Sequence, residues 1–223
     1  MDLLRDEFPS ILEAFWVTLK LAVLGGFGAL VLGTILAAFR VSPVPLLRVV
    51  GAVMVHGFRN IPLTLIMFFA FNGLSLRLGV DLAPDSINEN IFRLAVLALV
   101  VYTASFVCEG MRAGINTVPS GQAEAARAIG LTFTQTLSQV IMPQALRASI
   151  APIGSAMIAM TKNTTVAVSI GVFEASGRMR ELVEINSDLV LEIFAIFAFG
   201  FMCLTIPMGL LTTWAANRWT VAR

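Results

Sequence analysis

Apolar and polar residues occur along this chain in long blocks rather than in short alternating segments. Five blocks contain almost no charge, and each has about 19 residues or more, the length at which an α-helix crosses ~30 Å of hydrocarbon. These blocks predict membrane-spanning helices over residues 21–39, 49–76, 91–115, 145–173 and 189–214. Arg59 and Pro62 interrupt the second block and predict a break there. Four glycines in the first block, at positions 25, 26, 28 and 33, predict a small-residue face for close helix packing.

Composition supports an all-α integral membrane protein. Of 223 residues, 57% are apolar and 13% are charged, and a charge content this low is not typical of soluble domains. The formal net charge of +1 gives no field that would attract nucleic acid. Cys108 and Cys203 lie in apolar runs and are expected to be buried free thiols. His56, the single histidine, is expected to pack inside its helix rather than to bind a metal.

The distribution of charge predicts the orientation of the chain. With residues 119–143 inside, seven arginines fall at inner ends and five at outer ends, as cytoplasmic loops favour positive charge. Twelve of the 14 acidic residues then fall at outer ends. We therefore expect an external N-terminus, a cytoplasmic C-terminus and one transmembrane domain. The expected segments are an external start 1–16, the domain 17–214, charged external loops 77–90 and 174–188, and a cytoplasmic tail 215–223.

Residues 119–143 form the one long polar interruption that combines helix formers with a central glycine. Ser120 is expected to cap a first short helix, and Gly130 suits a left-handed position at its end. Thr132 or Thr134 can cap a second helix that ends at Pro143. A helix–glycine–helix elbow would leave backbone groups unpaired in lipid. We therefore expect the elbow, defined as residues 119–143, to project into water and to meet a partner there.

The elbow resembles the EAA loop found in permease subunits of ATP-binding-cassette importers of type I. Glu124-Ala125-Ala126, Gly130 and Pro143 follow the spacing of that loop. Two further segments are similar to motifs of the polar amino-acid branch of this family: Arg59-Asn60-Ile61-Pro62-Leu63, and Lys162-Asn163-Thr164-Thr165. Residues 40–43, 92–97 and 161–165 are most similar to glutamate-uptake permeases.

The resemblance implies a permease subunit of an ATP-driven amino-acid importer, most similar to those for glutamate, in a bacterial plasma membrane. Its partners would be a second permease chain, alike or related, two cytoplasmic ATPase subunits that hold ATP and Mg²⁺, and an extracellular solute-binding protein. The residues that would couple the permease to the ATPase are Gln122, Glu124, Ala125, Ala126, Gly130 and Pro143.

No catalytic or cofactor site is expected in this chain. A phosphate-binding loop requires a glycine-rich segment followed by Lys and Ser or Thr. The only lysines, Lys20 and Lys162, follow Leu19 and Thr161 and so lie outside any such loop. No nucleophile–base pair and no cluster of metal ligands is apparent. We therefore expect ATP to be hydrolysed by a partner chain.

Charged residues within the apolar blocks are candidates for function, because a charge at the bilayer centre costs about 2.5–3.5 kcal/mol. Glu109 and Arg112 are three residues apart and favour a structural ion pair that anchors the elbow. The candidates for a path taken by an anionic or zwitterionic solute are Arg59, Asn60, Lys162, Asn163, Thr164 and Thr165. Equally, Arg59 and Lys162 could pair with carbonyls or with Glu109 and only hold helices together.

Two other functional classes are compatible with the pattern. A self-contained secondary transporter would require inverted repeats and paired broken helices, and five spans are few for it. A membrane scaffold without transport would not explain buried Arg59 and Lys162. Within the importer class, another polar amino acid such as glutamine could replace glutamate.

Overall fold

The computed structural model of this chain describes the backbone of residues 2–219 and the side chains of residues 7–219. All regular structure in this part of the chain is helical. The α-helices are α1 (Asp2–Val41), α2 (Pro45–Asn60), α3 (Leu63–Phe68), α4 (Ile87–Asn116), α5 (Ser120–Ala128), α6 (Phe133–Gln135), α7 (Met142–Asn163), α8 (Ala175–Ile185) and α9 (Val190–Trp219). π-Helical segments occupy Phe69–Arg77 and Thr136–Ile141, and a 3₁₀ segment, Thr164–Ile170, continues α7.

Three helices are long and apolar enough to cross a membrane singly: α1 from Glu7 onward, α4 and α9. Two further helix pairs are apolar enough together but bent, with an angle of 104° between α2 and residues 63–77 and of 58° between residues 133–170 and α8. The all-α membrane fold predicted from the sequence is confirmed. The structure contains three to five candidate spans, and the predicted number of five is reached when each bent pair is counted as one span.

Helices α1 and α4 form the centre of the fold, and glycines on α1 allow their backbones to approach closely. A Cβ atom at Gly28 would lie 2.5 Å from a methyl group of Val100, and one at Gly33 would lie 2.6 Å from Val107. Both distances are shorter than van der Waals contact, so a larger residue would force the helices apart. The predicted small-residue face of α1 is therefore confirmed at these positions.

The break between α2 and α3 occurs where Pro62 predicted it. α2 ends at Asn60, and Pro62 adopts φ −56° and ψ 135° before α3 starts at Leu63. Leu63 and Met67 of α3 then turn inward and join the core around Leu99. The chain therefore changes direction at this point because a proline cannot continue the hydrogen-bond ladder of α2.

The first span begins earlier than predicted. The sequence pattern places its start at residue 21, with an external segment before it, yet α1 is helical from Asp2 through Pro9. Ile11 and Ala14 are buried, and Ile11 packs against α8 and α9 with Phe197 and Leu182. Tertiary packing of Ile11 and Ala14 therefore stabilises α1 within residues 1–16, which were expected to form a separate external segment.

The segment 174–188, which was expected to be a charged external loop, is largely helical. Glu174 is 0% exposed, and α8 follows it directly. The Glu174 carboxylate accepts hydrogen bonds from the backbone N–H groups of Ser176 (2.9 Å) and Gly177 (3.2 Å). Glu174 is buried because it caps the N-terminus of α8, where a negative charge is favourable.

Two residues that were expected to be buried are exposed in this chain. His56 follows buried Val55 on α2 and points away from the core, because adjacent helical residues are about 100° apart. Cys203 lies on α9, which packs against the other helices along only a narrow face. Cys108 is buried as predicted, and both thiols are free.

Candidate functional site

The first half of the elbow is α5, which ends in a left-handed glycine as predicted. Gly130 has φ +89°. Its N–H donates to Arg127 O (3.0 Å), and the N–H of Leu131 donates to Ala126 O (3.1 Å). These two bonds form a Schellman motif, which satisfies the last carbonyls of α5. The expected Ser120 cap is wrong: Ser120 is already helical, and Pro119, whose φ is preset by its ring, occupies the cap position.

The second half of the elbow starts at a capping box. The Thr132 hydroxyl accepts from the N–H of Gln135, and the Gln135 side chain accepts from the N–H of Thr132 (2.9 Å). Thr132, rather than Thr134, is therefore the cap. The predicted end at Pro143 is wrong, since the helix continues as α7. Pro143 lies in the first turn of α7, directly after the wide π-helical segment, where its missing donor is tolerated.

Side chains in the elbow divide into an inward and an outward set. Gln122 accepts a hydrogen bond from the Gln144 side chain, which also donates to Val140 O (2.8 Å), so α5 is tied to the start of α7. Ala126 is buried. The outward set consists of Glu124, Ala125, Arg127, Ile129 and Phe133, with Ile129 80% exposed. An exposed acid beside exposed apolar side chains on a rigid elbow is a surface suited to protein docking.

A charge cluster lies near the C-terminal ends of α1 and α4. Glu109 Oε1 is 3.3 Å from Arg112 Nε and 3.5 Å from Arg40 Nη1, and Glu109 Oε2 is 3.9 Å from Arg59 Nη1. The predicted Glu109–Arg112 ion pair is therefore present in the structure. From the sequence, Arg40 was used only to predict the orientation of the chain. Its contact with Glu109 could not be predicted from neighbouring residues, because it depends on how α1 packs against α4. Arg59 also stacks on Phe106, with its guanidinium carbon 5.6 Å from the ring centroid.

The structure separates Arg59 from Lys162. Arg59 belongs to the Glu109 cluster. Lys162 instead lies two residues after Met160, and both Met160 and Leu99 lie beside Gly25 of α1. Leu99 precedes Glu109 on α4 by ten residues, which at 1.5 Å per residue is roughly 15 Å along the helix. The candidate path residues therefore form two groups at different depths, and Lys162 makes no ion pair with the described residues.

The Lys162 group lies where α7 tightens into the 3₁₀ segment. Thr164 is fully buried, and its hydroxyl donates to Thr161 O (2.8 Å). The Thr165 hydroxyl donates to Lys162 O (2.8 Å). Lys162 is exposed and Asn163 is half-buried. The polar groups of Lys162 and Asn163 are thus accessible at the surface of the chain, while the hydroxyl groups of both threonines donate to backbone carbonyls.

A second polar cluster, which the sequence gave no reason to expect, joins α1 to α8 at the opposite end of α1. The Arg178 guanidinium donates to Glu7, to Glu181 (2.6 Å) and to Ser10 (3.2 Å). Arg178 and Glu7 are 171 residues apart, so only the folded arrangement brings them together. No cluster of His, Cys, Asp and Glu that could hold a metal ion occurs among the described residues.

The chain is similar in sequence and in structure to known transport proteins. The profile of the family described as "Binding-protein-dependent transport system inner membrane component" matches residues 5–221. The Glutamate transport system permease protein GluC of Corynebacterium efficiens is 51% identical over 209 residues, covering 92% of each chain. The Probable glutamine ABC transporter permease protein GlnM of Bacillus subtilis is 32% identical, covering 94% of this chain and 93% of its own length. The crystal structure of an amino acid ABC transporter with histidines superposes with a TM-score of 0.85 at 25% identity, covering 96% of each chain.

Proposed function

Because this chain belongs to the binding-protein-dependent transport system inner membrane component family, we propose that it is the permease subunit of an ATP-driven glutamate importer. Its role as a permease subunit of the ABC importer class follows from the family. The choice of glutamate is supported by the 51% identity to a glutamate permease over 92% of both chains. Glutamine is the alternative solute, supported by the 32% identical relative.

The elbow is proposed as the element that couples this chain to the ATPase. The observation that carries this role is its geometry: a Schellman motif at Gly130 and a capping box at Thr132 hold two helices rigidly. Glu124 and Ala125 lie on its exposed side. Gln122 ties α5 to the start of α7 through Gln144, Ala126 is buried, and Pro143 lies in the first turn of α7, into which the elbow continues. A rigid elbow can transmit a movement of the ATPase to α7, and through it to the membrane core.

The proposed assembly contains a second permease chain, two cytoplasmic ATPase subunits and an extracellular binding protein. ATP and Mg²⁺ would be held by the ATPase subunits, so that this chain has no catalytic role of its own. The largely unpacked face of α9 and the exposed side of α2 offer surface for lipid and for the second permease chain. The solute would pass Lys162, Asn163 and Thr165 in one half of the membrane and Arg59 and Asn60 in the other, with Thr164 supporting the backbone.

Reconstitution in vesicles tests this function. The chain is co-expressed with its genomic neighbours, purified in mild detergent and inserted into vesicles that contain ATP. We expect glutamate uptake that requires both ATP and the binding protein, and glutamine should compete poorly. Uptake without ATP would instead identify a secondary transporter, and uptake of glutamine in preference to glutamate would reassign the solute.

The proposed orientation, with the N-terminus outside and the C-terminus in the cytoplasm, is tested by labelling. Exposed Ser86 and exposed Ser120 are replaced singly by cysteine in a Cys203→Ser background. An impermeant maleimide added to intact cells should label position 86 and not position 120. The opposite pattern would reverse the orientation.

A further inference from the structure

The positive charge around Glu109 exceeds what one carboxylate can balance. Arg40, Arg59 and Arg112 lie within 3.3–3.9 Å of its oxygens. Three positive charges and one negative charge leave a surplus of two. None of the three arginines forms an ion pair with any other described carboxylate. A surplus of this kind close to the hydrocarbon region is unfavourable unless another anion accompanies it.

The hydrogen-bond donors in this cluster are also under-used. Each guanidinium has five N–H donors. Within the described residues, the only hydrogen bond made by the three arginines is that of Arg112 Nε to Glu109 Oε1. Arg40 Nη1 is buried and has no hydrogen-bond acceptor. A buried donor without an acceptor is costly, so its presence indicates a partner that completes the site.

The arginine cluster is open to solvent on one side, unlike an ion pair that is enclosed on all sides. The Arg40 side chain is 12% exposed and lies innermost, while Arg59 is 46% and Arg112 is 35% exposed. The Arg59 guanidinium is held over the Phe106 ring, which restricts its orientation. A buried guanidinium with two more accessible ones on its open side can enclose a small anion.

We propose that Arg40, Arg59 and Arg112 form a binding site for one anionic oxygen group, a carboxylate or a phosphate. The planar N–H forks of arginine match the oxygens of both groups. Glu109 holds the three arginines near each other and leaves most of their donors free for the anion. The site therefore differs from the outward elbow surface and from the Lys162 group.

This anion has two possible sources. One is the side-chain carboxylate of a transported acidic solute, an assignment that rests on the proposed function. The other is the phosphate of an acidic phospholipid in the nearby leaflet, which does not. Both supply the same chemistry to the arginines. A lipid probe and a soluble probe distinguish the two sources, and a neutral counterpart of each probe tests whether the charge is needed.

Cys108 provides a local measurement, because it is 0% exposed and adjacent to Glu109. In a Cys203→Ser background, the rate at which a maleimide labels this permease chain reports how often the cluster region opens. The purified complex in uncharged detergent is incubated with short-chain phosphatidylglycerol or with phosphatidylcholine of the same chain length. Parallel samples receive glutamate or its neutral isostere glutamine.

We expect one anionic probe, and not its neutral counterpart, to slow labelling severalfold. Slowing by phosphatidylglycerol assigns the site to lipid, and slowing by glutamate assigns it to solute. Arg59→Gln should abolish the effect. Arg48→Gln should preserve it, because Arg48 is exposed and its side chain makes a single hydrogen bond with the described residues, to Ser42 O.

Glu109→Gln gives an independent test, since it raises the surplus charge and should strengthen the protection by the anion. The proposal is overturned if neither anion protects Cys108, or if Arg48→Gln removes protection as fully as Arg59→Gln. Labelling is measured without ATP or binding protein, so it does not depend on transport. Failure of glutamate uptake in vesicles would overturn the proposed function and leave this result unaffected.

Discussion

The two ends of α1 hold charged clusters of opposite character. At one end, the Arg178 guanidinium is shared between Glu7, Glu181 and Ser10, and its charge is more than balanced. At the other, Glu109 faces three arginines and makes one hydrogen bond to them. The first cluster is rich in acceptors and the second is rich in unused donors.

This difference indicates two different roles. Polar networks whose members are all hydrogen-bonded make a structure rigid, whereas partly satisfied networks remain open to new partners. Glu174 belongs to the rigid end, because the Thr18 hydroxyl lies 3.2 Å from its Oε2 and accepts from the N–H of Ala175 (3.1 Å). We therefore expect α8 to remain fastened to α1 while the Glu109 end exchanges contacts.

The largest effect is expected from Glu174→Ala at the rigid end. The change leaves the buried N–H groups of Ser176 and Gly177 without their acceptor and removes the cap of α8. A loss of roughly 2–4 kcal/mol in the free energy of unfolding follows, since unsatisfied buried donors cost about 1–3 kcal/mol each. The amount of assembled complex in the membrane, measured by quantitative blotting, should fall strongly.

Glu184→Ala is the matched control, because Glu184 lies on the same helix and is exposed. It should leave the amount of complex unchanged. An equal amount of complex from Glu174→Ala and Glu184→Ala would show that the buried network does not fasten α8.

A smaller loss is expected from Glu109→Ala at the opposite end. The arginines around Glu109 already lack most of their acceptors. Removing Glu109 therefore leaves fewer additional donors without an acceptor than removing Glu174 does. We expect a loss of roughly 1.5–2 kcal/mol, at the low end of the range for hydrogen bonds to charged groups. Thermal inactivation of the purified complex should rank the variants as wild type, Glu109→Ala and Glu174→Ala in order of decreasing stability. A reversed rank would contradict the comparison between the two ends.

The contrast also separates what the sequence predicts from what it does not. The apolar blocks, the break at Pro62, the left-handed Gly130 and the Thr132 cap are local patterns, and each one is found in the structure. The burial of Glu174 and the approach of Arg40 to Glu109 depend on residues far apart in the chain. The sequence therefore gave no basis for predicting that Glu174, in a charged segment, is buried.

The elbow offers a test in which folding changes little and coupling changes much. Gly130→Val forces a β-branched residue to φ +89°, a strain on the order of 1–2 kcal/mol. Gly121→Ala is the control, because a Cβ atom at either position meets no atom within 4 Å and only Gly130 has positive φ. The complex should assemble in both variants.

Solute-stimulated ATP hydrolysis should be lost in Gly130→Val and retained in Gly121→Ala. The pair compares a side chain added at a positive φ with one added at an unstrained position of the same elbow. Normal hydrolysis in an assembled Gly130→Val complex would remove the elbow from the proposed coupling route.

The smallest effect on folding is expected at Asn163, which lies between the two charged ends. Its side chain is half-buried and makes no hydrogen bond with the described residues, so Asn163→Leu should leave the amount of complex unchanged. Neighbouring Thr164 is fully buried and donates to Thr161 O. Thr164→Val should therefore lower the amount of complex by the loss of one hydrogen bond, about 1 kcal/mol, and should leave the uptake of each assembled complex intact.

The deciding measurement is glutamate uptake per assembled complex with saturating binding protein. If Asn163 lines the path, Asn163→Leu removes a donor and an acceptor that replace part of the hydration of the solute. Uptake should then fall several-fold, although binding of glutamate to the extracellular partner is unchanged. Wild-type uptake by Asn163→Leu would leave the Lys162 group with a structural role only, and the path would have to be sought beside Arg59.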